Sequence, residues 1–260
     1  MVRARRCELL RENEAGRTVT VASVRELNAF TSRRDFLRLM GMSGALTLLP
    51  SLIVGCEDGE NTGGLTGPGT GRTVTIDFSK GDIAVLQFAY VLEQLEADFY
   101  TRVVANFTGS AFTEAEQAVL TDIRNHEVIH REFLKTVLGT NASFSLSPTY
   151  GSLNFKDRSS VLAAAKGFED LGVAAYNGAA QYLTDVSNLL VAGKIVSVEA
   201  RHAAAIRDLI NPLSADFAPA PFDDAFGPAK VASAAQVFIV DKLAFANAPT
   251  AFVQGPNNNG

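Results

Sequence analysis

Four stretches of this chain carry apolar residues at helical spacing, and each sets a glutamate in the middle of its apolar stripe. The first, over residues 80–106, aligns Leu86, Tyr90, Glu93, Ala97 and Tyr100. The second opens at Thr113, with Glu116 three residues on in a capping-box pattern. Its stripe is Leu120, Ile123, Glu127, His130, Leu134 and Val137, and it ends near Gly139. The third starts near Ser159 and aligns Leu162, Ala165, Glu169, Val173, Tyr176, Ala180 and Leu183. The fourth, over 186–210, aligns Ile195, Glu199, His202, Ile206 and Leu209. Such a stripe faces a core, and a lone carboxylate buried there costs several kcal/mol unless paired or metal-bound. Four glutamates and two histidines so placed need a common partner. A polyvalent cation is the economical one.

The four stretches also repeat in pairs. Glu93 is followed by Tyr100 and Glu169 by Tyr176, each seven residues on, while the second and fourth helices both read E-x-x-H. Glutamate at i and histidine at i+3 share one helix face. Residues 140–157, with Pro148 and Gly151, read as a long crossover between two helix hairpins. The expected architecture is an all-α four-helix bundle over 79–211 with pseudo-twofold symmetry. Residues 212–260 read as a Pro-rich extension (Pro212, Pro219, Pro221, Pro228) with a fifth apolar helix near 229–246 and a disordered tail after Pro249.

His126-Glu127-Val128-Ile129-His130 has a rival reading. As H-E-x-x-H on a helix it has the form of a zinc-protease site, with two histidine ligands and a glutamate base. That site needs a third ligand and an open position. The extended form is absent, because Phe133 and Thr136 stand where it needs glycine and histidine, and no acidic residue occurs between Glu132 and Asp157. Nor does the protease reading use Glu93 or Glu199-x-x-His202. His126 matches no ligand position; it is expected either at the surface or beside the ligands as an outer partner, with the surface favoured. Glu96, three residues after Glu93 on a neighbouring face, competes with it for the first-helix position, and the repeated seven-residue spacing to a tyrosine favours Glu93. Asp98 and Asp170 are expected in solvent.

The amino-terminal part reads as an export signal. Ser32-Arg33-Arg34-Asp35-Phe36-Leu37-Arg38 resembles the twin-arginine signal, with Arg33 and Arg34 as the pair. The weakly polar run that follows is broken by Gly41, Gly44 and Pro50 and is too short for a bilayer span. It ends in Ile53-Val54-Gly55-Cys56, which resembles a lipobox with Cys56 as the acylated residue. Residues 1–55 are thus expected to be signal, and 56–78 a lipidated cysteine with a flexible Gly-rich tether. Cys7 and Cys56 are the two cysteines, so the mature domain has no thiolate ligand, and its metal must use nitrogen and oxygen. Residues 1–56 carry nine Arg and five acids, against fourteen Lys/Arg and twenty-three acids in 57–260. A body this acidic argues against nucleic acid and against electrostatic membrane binding. About 190 residues remain for one domain with a sizeable core.

Together Glu93…Tyr100, Glu127-x-x-His130, Glu169…Tyr176 and Glu199-x-x-His202 resemble the ferritin-like superfamily over about 80–210. The stretches Leu92–Tyr100 and Ser197–His202 are similar to its exported branch. The resemblance implies two metal ions, iron or alternatively manganese. Glu127 and Glu199 would bridge them, Glu93 and His130 would complete one metal, and Glu169 and His202 the other. Tyr100 and Tyr176 would lie beside the cluster, able to hydrogen-bond a ligand or supply an electron. The implied activity is iron oxidation or O2/peroxide chemistry outside the cytoplasm. A di-manganese catalase-like enzyme, or a non-enzymatic stress or structural protein without a working metal site, is the alternative. The implied partners are metal ions, O2 or peroxide, the twin-arginine translocase, and a membrane reached only through the lipid anchor. The protein would sit on the periplasmic or cell-surface side, and oligomers are compatible with the pattern.

Overall fold

A computed structural model of the protein describes residues 71–256. The signal segment, Arg33, Arg34, Cys56 and most of the tether lie outside the described residues. Among those described, five α-helices and two strands occur. They are β1 (Thr73–Asp77), α1 (Asp82–Ala105), α2 (Glu114–Leu138), α3 (Arg158–Ala179), α4 (Val186–Ile210), α5 (Pro228–Gln236) and β2 (Lys242–Ala246). The fold is all-α, a four-helix bundle with a two-stranded ribbon beside it. Among the described residues no helix is long and apolar enough to cross a membrane.

The helix ends follow local chemistry. Thr113 and Glu116 form the reciprocal capping box at the start of α2. Asp157 and Asp185 cap α3 and α4 through the Ser160 and Ser187 amides. Gly139 ends α2 at a φ of 54°. Arg158, at the start of α3, donates to Glu116 Oε1 at 2.7 Å and to the Leu209 carbonyl at 2.6 Å, tying α2, α3 and α4 together at one end. At the other end Asp82 accepts from Thr184, Asp185 and Asn188, tying α1 to the α3–α4 turn.

Helix α1 packs along α2, and α3 along α4, as two hairpins. The α2–α3 crossover lies over α1, where Leu146 N–H donates to Gln94 Oε1 and Tyr150 Oη–H to the Leu95 carbonyl. Phe99, Tyr150, Phe155, Phe168 and Phe238 fill the space beneath it, with Phe99–Phe168 and Phe168–Phe238 centroids 4.9 and 4.6 Å apart. α1 is buried almost all round, which explains its mixed apolar pattern.

The extension departs from the expected 229–246 helix, because α5 stops at Gln236 and residues 242–246 form β2. A short apolar run does not distinguish a buried strand from a helix, and β1 supplies an edge that β2 pairs with in parallel, Thr73 opposite Lys242. The Gln236 side chain stops the helix by bonding the Ile239 and Asp241 carbonyls and the Leu243 amide. β1 itself occupies residues assigned from sequence to the tether. The segment after Pro249 is tied down at two points, where the Ala251 carbonyl accepts from Tyr182 and the Val253 amide donates to Gln181. Gly178 on α3 is required, because a Cβ there would sit 2.0 Å from the Phe226 carbonyl oxygen, whose residue bonds the Ala174 carbonyl.

Candidate metal centre

All four stripe glutamates meet in the bundle interior. Glu93, Glu127, Glu169 and Glu199 are each 0% exposed, and His202 is buried with them. His130 keeps 12% side-chain exposure and forms the margin of the cluster nearest solvent. Two overlapping groups form: Glu93, Glu127, His130 and Glu199, and Glu127, Glu169, Glu199 and His202, with ligand-type atoms in each group within 4.8 Å of one another. Glu127 and Glu199 belong to both groups. The remaining four divide evenly.

Tyr100 and Tyr176 hold the outer glutamates crosswise. Tyr100 on α1 donates to Glu169 Oε1 on α3, and Tyr176 on α3 donates to Glu93 Oε1 on α1, both at 2.5 Å. Each bond fixes one carboxylate oxygen and leaves the other facing the cluster. The buried polar atoms without a hydrogen bond include Glu93 Oε2, Glu169 Oε2, both oxygens of Glu127, both of Glu199, and Nδ1 of His130 and of His202. Buried polar atoms are rarely left unpaired.

Some of these atoms are close. His202 Nδ1 lies 2.8 Å from Glu127 Oε1, and His130 Nδ1 lies 3.0 Å from Glu199 Oε1. Yet these nitrogens and oxygens fail the angular requirements of a hydrogen bond. They converge on common points rather than pairing directly. The donor set fits a cation pair: hard carboxylate oxygens with two imidazole nitrogens, two shared carboxylates with both oxygens free, and two outer carboxylates with one oxygen free each.

Without a cation the charges distort one another. Burial raises Glu199 well above the usual carboxylate range, Glu127 adding to it, and burial pushes Glu93 up to about 7. Burial would also raise Glu127, but the imidazoles of His130 and His202 beside it outweigh that and hold Glu127 at about 2. The two imidazoles shift the other way. Burial lowers each, but Glu93 above all for His130, and Glu127 and Glu169 for His202, raise them, His202 to about 10. The metal-free cluster thus substitutes protons for cations.

Four residues have surroundings that the sequence does not reveal. His126 is half-buried and takes the outer-partner place rather than the favoured surface one: its Nδ1 lies 2.9 Å from His202 Nε2, with the rings 9° from parallel. A 100° offset from Glu127 points it out of the α1–α2 hairpin but toward α4, a contact invisible within one helix. Glu96 is 3% exposed, and burial first, then the charges of Glu199, Glu127, Glu169 and Glu93, push its carboxyl well above the usual range. Asp170 pairs with Arg207 at 2.8 Å, and Asp98 accepts from Arg102 and Tyr150, so neither is simply solvated.

A bundle of two helix hairpins with a Glu/His cluster at its centre defines a class of protein, and the comparison with families agrees. The family model described as a ferritin-like domain matches residues 81–212, a span that holds all four helices and all six cluster residues. This chain belongs to the ferritin-like family. No curated protein matches it.

Proposed function

We propose that the bundle binds a carboxylate-bridged pair of metal ions, iron in the first instance, and serves iron oxidation or O2/peroxide chemistry. The observation that carries this reading is the pattern of unpaired atoms: two on each shared glutamate and one on each of the other four residues. Glu127 and Glu199 would bridge; Glu93 with His130 and Glu169 with His202 would complete the two metals. Bound there, the metal pair would supply one-electron redox chemistry and positions at which an oxidant binds.

The residues of the chain do the rest. Tyr176 and Tyr100 orient Glu93 and Glu169 so that one oxygen of each faces inward, and each hydroxyl keeps its proton while donating it in a hydrogen bond to the carboxylate next to the cluster. The apolar walls exclude water, since the four glutamates have no solvent exposure. Low solvent content strengthens every charge interaction in the site. His130, with its slight exposure, marks the side from which ions and small oxidants approach.

Manganese is the metal alternative, because the same oxygen-rich ligands suit it. Export through the twin-arginine route, lipidation at Cys56 and a periplasmic or cell-surface location belong to the same proposal and rest on the Arg33-Arg34 and Cys56 sequence patterns alone. The test is anaerobic loading with Fe²⁺ followed by O2 or peroxide. An absorbance that appears only on oxidation supports the reading; iron-loaded protein that stays spectrally silent with both oxidants overturns the redox assignment.

A further inference from the structure

A cavity of about 20 Å³ lies among α1, α3 and α4. Its lining reaches from Leu183, half-buried in the α3–α4 turn, to Leu92 and Tyr176, which are buried. Tyr176 donates to Glu93 Oε1 at 2.5 Å, and Leu92 directly precedes Glu93. The cavity therefore abuts a residue that touches the cluster. Packed interiors hold few voids larger than a water molecule.

The pseudo-twofold repeat shows how this space arises. Counted from Tyr100 and Glu127, the places of Phe99, Val103 and Leu120 repeat as Ala175, Ala179 and Ala192 in the other half. Phe99, Val103 and Leu120 are fully buried and fill their half, the Phe99 ring 5.0 Å from that of Tyr100. All three alanines border the cavity. Every other lining side chain is apolar too, except that of Tyr176, whose hydroxyl already donates to Glu93. Water in a void needs several polar partners, and an apolar void stays dry. Peroxide carries an O–H donor at each end, and burying those without acceptors is costly. Dioxygen has no donor, is apolar and is small enough for the space.

Resting on the redox reading above, we propose that this cavity is a docking place for dioxygen beside Tyr176, and that it admits dioxygen in preference to peroxide. Ions and peroxide, being polar, keep to the His130 margin. The two halves of the bundle then differ in task, the Tyr100 half packed solid and the Tyr176 half holding the gas. Ala175, Ala179 and Ala192 are the residues that set this specificity.

The test begins with the metal-free full chain under xenon, an apolar atom that enters such voids. Xenon is expected to shift the Val85 and Leu92 methyl resonances of the wild type. Ala192→Leu, which installs the side chain of the filled half, is expected to abolish that shift. After anaerobic loading with Fe²⁺, Ala192→Leu should react with O2 about 10-fold more slowly than the wild type, a barrier higher by about 1.4 kcal/mol, and with peroxide at the wild-type rate. Ala179→Val makes the same comparison from α3 and decides should Ala192→Leu not fold. Xenon that leaves the wild-type methyls unmoved overturns the proposal and needs no variant. A filled variant with an unchanged O2 rate, or with both oxidants slowed alike, overturns it as well. Wild type that reacts with neither oxidant overturns the redox reading instead, while the xenon result reports on the cavity alone.

Discussion

His126 Nδ1 stands 2.9 Å from His202 Nε2, while His202 turns its other nitrogen, Nδ1, toward Glu127 and Glu169. One ring nitrogen is committed to the cluster and the other to a neighbour on α2. Such an outer partner fixes the tautomer and tilt of a ligating imidazole. The equivalent place beside Glu199 is Val198, so no second histidine is supplied by the repeat. His126→Ala is expected to weaken the metal held by His202 about 10- to 100-fold and to leave the His130 half close to native. A two-site calorimetric titration checks this, and equal weakening of both sites would contradict it.

The crossed tyrosines give a symmetrical prediction. Tyr100→Phe and Tyr176→Phe keep the ring packing but strand Glu169 Oε1 and Glu93 Oε1 without their donors. Loss of a buried charge-assisted bond costs about 1–3 kcal/mol. Urea unfolding of the metal-loaded protein is expected to show losses in that range for both variants. A large loss for one and none for the other would break the crossed arrangement.

The fall of stability with rising pH should disappear when metal is bound. The imidazole of His202 titrates near 6.5 in an unfolded chain but is held up at about 10 in the metal-free fold, burial lowering it and Glu127 and Glu169 raising it more. His130 is shifted the same way. Between those values the folded protein binds more protons than the unfolded chain, so stability is fully present below about pH 6.5 and falls as pH rises toward 10. Metal-free protein should therefore melt progressively lower from pH 7 to 10. Metal competes with those protons, so loaded protein should not lose stability over that window. Thermal melts with and without chelator distinguish the two.

The extension is expected to be part of the fold. Gly178→Ala places a methyl group against the Phe226 carbonyl and should cost about 1–3 kcal/mol by forcing the backbones apart. Gly193→Ala on α4 meets no atom within 4 Å and serves as the control, neutral or stabilising. Denaturant midpoints of the two variants are the readout.

How much of this is legible in the sequence depends on how local the cause is. The four helices follow from apolar period and from caps such as Thr113 with Glu116, both written within a few residues. Convergence of Glu93, Glu127, Glu169 and Glu199 follows from one buried carboxylate per stripe. Their roles as ligands remain part of the proposal. What escapes is set by contacts between elements. His126 meets a histidine 76 positions away, and Glu96 is buried facing Gly172 on another helix. The 229–246 run becomes strand because a distant segment, Thr73–Asp77, supplies the pairing edge.

The central claim is that six side chains hold two metal ions, and counting the ions tests it most directly. Elemental analysis of protein loaded anaerobically with Fe²⁺ and freed of excess should give about two irons per chain in the wild type. Glu127→Ala and Glu199→Ala, which each remove both unpaired oxygens of a shared carboxylate, should lower the count at both positions. Wild type without bound metal, or both variants retaining the full count, would contradict the account.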